Sequence, residues 1–184
     1  GLLIGAAAGR WGGGLDAALM RLADVFLAFP RLILAIAIAA ALTSGLWTAV
    51  IAIALTGWPP YARVARSEMA ALRQAEFIQA AKALGVSRLR LLLRHALPLC
   101  LPSAVVRAAL DAPGIVLIVS GLGFLGLGLP PPAPEWGAMV AEGRAIVFEA
   151  WWVSTLPGVM ILLLSLGFNF LGDALRDVVD PGVK

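Results

Sequence analysis

Few residues of this chain could carry chemistry, and those few are scattered. There is one histidine, His95, and one cysteine, Cys100. A metal site needs three or four such ligands converging, so a structural histidine outranks a ligand here. A lone cysteine makes no internal disulfide. Gly121-x-Gly123-x-x-Gly126 follows the strand-like run Ile115-Val116-Leu117-Ile118-Val119 and imitates a dinucleotide fingerprint. That motif works only as a strand–turn–helix unit in a parallel sheet. Here Pro130-Pro131-Pro132 stops any helix soon after Gly126, and the glycines serve better as points of close helix packing and a bend. A phosphate-binding loop needs Lys followed by Ser or Thr; Lys82 is followed by Ala83, and Lys184 is the last residue. No hydrolysis of ATP is therefore expected in this chain, and its energy must come from another chain or from an ion gradient. Arg107 and Asp111 remain. Spaced i, i+4 on a helix, they share a face and can pair.

Composition says what solvent surrounds these residues. Of 184 residues, 61% are apolar and 14% charged, with a mean hydropathy of +0.94. Soluble domains sit near 45–50% apolar and about 25% charged. So much apolar surface has nowhere to hide from water in a domain of this size, so the solvent is lipid. The net charge of +3 reflects the placement of basic residues about a membrane rather than nucleic-acid binding.

The uncharged runs give the spans. Between Arg31 and Arg63 lie 31 residues without a charge, about 46 Å as one helix and too long for a core of about 30 Å. Thr43-Ser44-Gly45 divides them into spans over 23–43 and 46–62. Ala112–Pro134 and Ala150–Gly172 each offer 23 uncharged residues, enough to cross with some tilt. The third span starts earlier, near Leu99, which brings Arg107 and Asp111 inside it. Ions in a bilayer face a bundle interior or a wet path, yet Arg107 lies only a turn or two beyond the inner boundary, where snorkelling also accounts for it. Gly1–Gly9 is apolar and too short to span, and it lacks the charged front of a signal peptide. It reads as the end of a helix whose beginning is missing, and the chain as a fragment.

Basic residues set the orientation. Arg63, Arg66, Arg73, Lys82, Arg88, Arg90 and Arg94, half of the 14 Lys and Arg, fall between 63 and 95, against Glu68 and Glu76. The connection over 130–149 has Glu135, Glu142 and Glu149 but only Arg144. The 63–98 loop is thus expected in the cytoplasm, 130–149 outside, and the 172–184 tail in the cytoplasm. Trp47, Trp151 and Trp152 then fall at outer boundaries and Trp58 near an inner one.

The cytoplasmic loop has internal order. Phe77, Ala80, Ala81 and Leu84 recur at i, i+3, i+4, i+7, the stripe of an amphipathic helix, with Glu76, Gln79 and Lys82 opposite. Gly85 stands where a left-handed residue ends a helix. Ser87 can cap a second helix, with Leu89, Leu92, Leu93 and Ala96 as its apolar face until Pro98. The stripe suits a groove in another protein and equally a lipid surface; periodicity does not separate them.

Gln79-Ala80-Ala81, three residues, Gly85, nine residues, then His95-Ala96-Leu97-Pro98 resembles the EAA loop of bacterial ABC importer permeases. The family pattern has Glu at position 79 and Ile at position 95, so the sequence departs there while the spacing is kept; any salt bridge from that Glu is in doubt. Gly57-Trp58-Pro59-Pro60-Tyr61-Ala62-Arg63, Leu122–Gly128 with Pro131–Gly137, and Asn169–Asp173 with Asp180-Pro181 are similar to further segments of the dipeptide, oligopeptide and nickel permeases. The resemblance implies six spans in the intact subunit, of which this chain would hold four and the end of a fifth, forming one all-α transmembrane permease domain over 1–184 with a cytoplasmic helix–turn–helix. It implies Phe77, Gln79, Ala80, Ala81, Leu84, Gly85, Leu97 and Pro98 as the ATPase-coupling residues, and a multi-pass place in the bacterial inner membrane. The implied partners are a second permease, two cytoplasmic ATPases that bind ATP and Mg, and a periplasmic or lipid-anchored substrate-binding protein; this chain would be no enzyme, bind no cofactor or nucleic acid, and move peptide, or alternatively nickel, by alternating access.

Two other classes stand beside it. A gradient-driven transporter needs ionisable groups or broken helices near the midplane, for which Arg107 and Asp111 are the candidates. An intramembrane enzyme needs a catalytic pair within the spans, and none is evident.

Overall fold

In hydrocarbon every backbone amide must find its partner inside the chain, and a helix does this locally. The computed structural model describes residues 1–87 and 90–179, which form helices and the turns between them, with no strand among the described residues. In order these are α1 (Leu2–Trp11), α2 (Gly13–Leu27), α3 (Arg31–Ala40), α4 (Leu46–Leu72) and α5 (Glu76–Ala83). A π-wound turn (Leu91–Ala96) and a short α6 (Leu97–Leu99) lead to α7 (Leu101–Phe124), followed by α8 (Trp136–Gly143) and α9 (Trp152–Val179). By length and composition α7 and α9 can each cross a membrane, and α2 with α3, bent by 87° at their break, meets the same test together, as a broken span or a re-entrant loop. On α9 Leu156, Leu162, Leu163 and Phe170 are exposed, an outward apolar face that water would not tolerate at this extent.

Three expectations about helix limits need correction. The span expected over 23–43 is not one helix. Pro30, at ψ 124°, disfavours helical geometry at the residue before it, so α2 stops at Leu27 and α3 starts at Arg31. The span expected over 46–62 continues to Leu72 with Pro59 and Pro60 inside it, so the first ten residues of the 63–98 segment extend a helix instead of forming a loop. The third expected span, α7, ends at Phe124, ten residues before Pro134, because Gly126 takes φ +75°. Leu127 N–H then bonds the Leu122 carbonyl and Gly126 N–H the Gly123 carbonyl, the paired bonds of a Schellman cap.

The chain forms two compact units, one of Gly1–Ala28 with Gly57–Arg107 and one of Phe29–Thr56 with the chain from Ala108. The first has its core at Ala6, Met69, Ala96 and Cys100, flanked by Leu72 and Leu97. Gly5 and Gly9, one turn apart on α1, lie against the α4 backbone at Ala62 and Arg66, where a β-carbon would have no room. Close approach of this kind is how membrane helices gain contact without a hydrophobic driving force. The second unit packs Ala35, Ala39, Ala49 and Ala52 against Ile118 and Leu122, the same use of small residues.

Candidate functional site

The segment after α4 folds as a compact turn of its own. Arg73 N–H still reaches the Met69 carbonyl, and Gln74 and Ala75 close on Ala71 and Leu72 in tighter turns. α5 then starts at Glu76, whose negative charge suits a helix N-terminus. The Gln79 side-chain amide donates to the Gln74 carbonyl at 3.3 Å, a bond that a carboxylate at this position could not donate. Ile78 is buried, in a hollow it shares with Met69, Leu72, Leu91 and Ala96, with Arg10 and Arg73 at its side. Phe77 and Ala80 are exposed, and Leu84 is 84% exposed. The expected stripe is present, and it is the outward side of α5.

Gly85 ends the helix as expected, at φ +77°. Val86 N–H bonds the Ala81 carbonyl at 3.1 Å and Leu84 N–H the Ala80 carbonyl at 3.0 Å, which satisfies two acceptors of the last turn. A β-carbon on Gly85 would meet no atom of the chain within 4 Å. Its glycine is required by the backbone conformation, not by a crowded neighbour in this chain.

Ser87 caps the next turn: its Oγ accepts from Arg90 N–H at 3.4 Å. Arg88 and Leu89 lie outside the described residues, as do the side chains of Leu92 and His95. The expected second apolar face is corrected by the winding. Leu91 and Ala96 are buried while Leu93 is exposed. Five residues apart, Leu91 and Ala96 come to one side because the turn between them is π-wound, with more residues per turn than an α-helix. Pro98 does not end the helix here. It sits within the first two positions of α6, where its missing N–H has no partner to lose.

Several basic residues of this segment have partners that the sequence did not reveal. Arg66 binds Asp16 with both arms, Nε–Oδ1 at 2.5 Å and Nη2–Oδ2 at 2.7 Å. Arg63 Nη2 binds Asp24 Oδ1 at 2.6 Å. These pairs tie α2 to α4, so part of the positive charge that sets the orientation is also structural.

In the other unit Arg31 Nη1 donates to Asp111 Oδ1 at 2.7 Å. Spacing suggested Arg107 as a partner for Asp111; the ion pair with Arg31 is one that reaches 80 residues back. Arg107 Nε is buried without a hydrogen-bond partner. One glycine of the false dinucleotide motif, Gly123, also finds its reason here. Glu135 accepts a hydrogen bond from Leu129 N–H at 2.8 Å, and its carboxylate fills the space where side chains on Gly123 and Gly128 would stand. The glycines do admit an anion, one that the chain itself supplies.

Comparisons with known proteins agree with this architecture. The whole chain, residues 1–184, matches the family described as binding-protein-dependent transport system inner membrane component. It is 45% identical over 181 residues to a probable D,D-dipeptide transport system permease protein of Escherichia coli, covering 98% of this chain and 61% of that protein. It is 44% identical over 184 residues to a dipeptide transport system permease protein of Alkalihalophilus pseudofirmus, covering 100% of this chain and 60% of that one. The chain thus spans about three fifths of the length of these curated relatives. The fold is shared with an inward-facing structure of the MetNI methionine ABC transporter at a TM-score of 0.69 and 21% identity, over 96% of this chain and 86% of that one. The chain belongs to the binding-protein-dependent transport system inner membrane component family.

Proposed function

We propose that this chain is the transmembrane permease part of an ATP-driven importer of short peptides, set in a bacterial inner membrane by several spans. One observation carries the reading. α5 turns an apolar stripe, Phe77, Ala80 and Leu84, away from its own chain, while Ile78 anchors the same helix to Met69, Leu72 and Leu91. A helix held from behind with an apolar front is built to be gripped by another protein. The occupant is a cytoplasmic ATPase that holds ATP and Mg, with the 63–98 segment as its dock and 130–149 and 172–184 as the periplasmic loop and cytoplasmic tail. Gln79, Ala81 and Gly85 shape the docking helix, and Leu97 and Pro98 join it to α7. Nucleotide closes a pair of such ATPases, α5 moves with them, and the bundle, shared with a second permease, exchanges its open side; this is a two-state equilibrium biased by nucleotide. A substrate-binding protein delivers the solute from outside.

Peptide is favoured over nickel because the relatives described above are named for dipeptides. The chain does no covalent chemistry in this scheme. Uptake of a labelled dipeptide by vesicles holding the full-length protein with its cognate subunits tests it. Uptake that requires ATP and the binding protein is expected. Uptake driven by an ion gradient without ATPase would contradict it.

A further inference from the structure

Charges are scarce within the helices that can cross a membrane, so the ion pair between Arg31 and Asp111 needs a reason. Their side chains are 26% and 10% exposed. Asp111 lies ten residues from the start of α7 and thirteen from its end, about 15 Å and about 20 Å at 1.5 Å per residue. Arg31 opens α3 and is nine residues, about 14 Å, from its last residue, Ala40. The pair therefore sits near the middle of a core about 30 Å thick.

Further features gather at the same level. The chain leaves helical backbone at Phe29-Pro30, directly before Arg31. Pro113, inside α7, has no N–H and leaves the Ala109 carbonyl without its helical donor. At Gly114, three residues from Asp111 and on the same helix face, no atom lies within 4 Å of where a β-carbon would stand. Arg31 Nε is buried without a hydrogen-bond partner, so the guanidinium has donor capacity to spare. Apolar side chains would pack these helices at less cost than a buried ion pair. Ionisable groups beside broken helices at this depth are the elements of solute sites in membranes.

Resting on the reading of the chain as a peptide permease, we propose that Arg31 and Asp111 form a contact site for the charged ends of a translocating peptide. Empty, the two side chains neutralise each other. A zwitterion entering beside Gly114 separates them, its carboxylate taking the Arg31 fork and its ammonium the Asp111 carboxylate. One ion pair becomes two, the net charge of the site is unchanged, and neither side chain is left as an unpaired buried ion.

The test uses the full-length chain assembled with its cognate subunits in proteoliposomes, with the binding protein saturated. Three probes are compared: a free dipeptide, its N-acetylated form and its C-amidated form. The binding protein's own preference is common to all variants, so any change in the uptake ratios belongs to this chain. Asp111→Asn is expected to reduce the preference for free over N-acetylated peptide at least fivefold and leave the C-terminal preference. Arg31→Gln is expected to do the converse. A purely structural pair would lower all three uptakes alike, and unchanged ratios in both variants overturn the proposal. Should the variants fail to assemble, a dipeptide with a photoreactive side chain decides on the unaltered protein. Adducts over residues 31–35 and 108–114 are expected; adducts confined elsewhere, or absent from this chain, overturn it. If the unaltered protein takes up no peptide at all, the peptide reading fails; normal uptake with unchanged ratios sinks only this inference.

Discussion

Ile78 and Phe77 are neighbours in the chain and opposites in environment: Ile78 is 3% exposed and Phe77 is 48% exposed. Successive helical residues point about 100° apart, so a short helix with two large apolar residues in a row has two apolar sides. One is used within the chain, and the other faces outward. Truncating each should therefore give different defects. Ile78→Ala should lower stability by about 2–4 kcal/mol through the cavity it leaves, seen as a lower melting temperature of the purified complex. Phe77→Ala should change stability by less than about 0.5 kcal/mol yet weaken recovery of the ATPase. Equal effects of the two on both readouts would contradict the two-sided description.

The Glu135 cradle makes a second prediction. Gly123→Ala puts a methyl group where the carboxylate stands and should cost about 1 kcal/mol, because the displaced Glu135 gives up the Leu129 hydrogen bond. Glu135→Ala removes the acceptor for Leu129 N–H and should cost about 1–3 kcal/mol. The double variant should cost less than the sum, since the clash needs both groups. A double-mutant cycle by thermal unfolding measures this; simple additivity would remove Glu135 as the reason for the glycine.

The α2–α4 tie makes a third prediction. Arg66 holds Asp16 through two hydrogen bonds. With Arg66 nearly half exposed, about 0.5–1 kcal/mol is expected. The full-length protein should melt above Asp16→Asn, and the gap should close when Arg66 is replaced by Gln in both. A gap that persists without Arg66 would mean the ion pair is not its source.

What was legible in the sequence is what local periodicity and cap chemistry determine. The outward stripe of α5, its stop at Gly85 and the cap at Ser87 all follow from residues within about a turn of one another. Pairings across the chain were not legible. Asp111 has Arg107 at helical spacing, and nothing local points to Arg31. The break at Pro30 was readable from the residue before proline, but the span drawn over 23–43 ran through it. Ile78 and Leu91 were missed because a single stripe was sought on helices apolar on more than one side, and because π winding changes the spacing that defines a stripe. Glu135 was legible only as loop charge, since what it fills is a space between glycines twelve and seven residues before it.

Orientation is open to labelling. Ala83→Cys and Ala141→Cys, each with Cys100→Ala, place single thiols in the basic and acidic connections. They should react from opposite faces of intact membranes, Ala141→Cys from outside. Reaction of both from outside would overturn the orientation and the docking assignment together.

The central claim is that α5 couples this chain to an ATPase. Gly85→Val forces a β-branched residue into a left-handed backbone, at about 1–2 kcal/mol. Ala80→Glu adds a carboxylate that the chain itself tolerates, because Ala80 is exposed, but that a docked partner would bury unpaired at several kcal/mol. The deciding measurement is ATPase recovery with substrate uptake, side by side, in membranes that hold each variant at normal level with its partner permease. The account predicts that both variants lose the ATPase, or keep its hydrolysis without uptake. Normal recovery with normal uptake in both would show that this helix is not the coupling element.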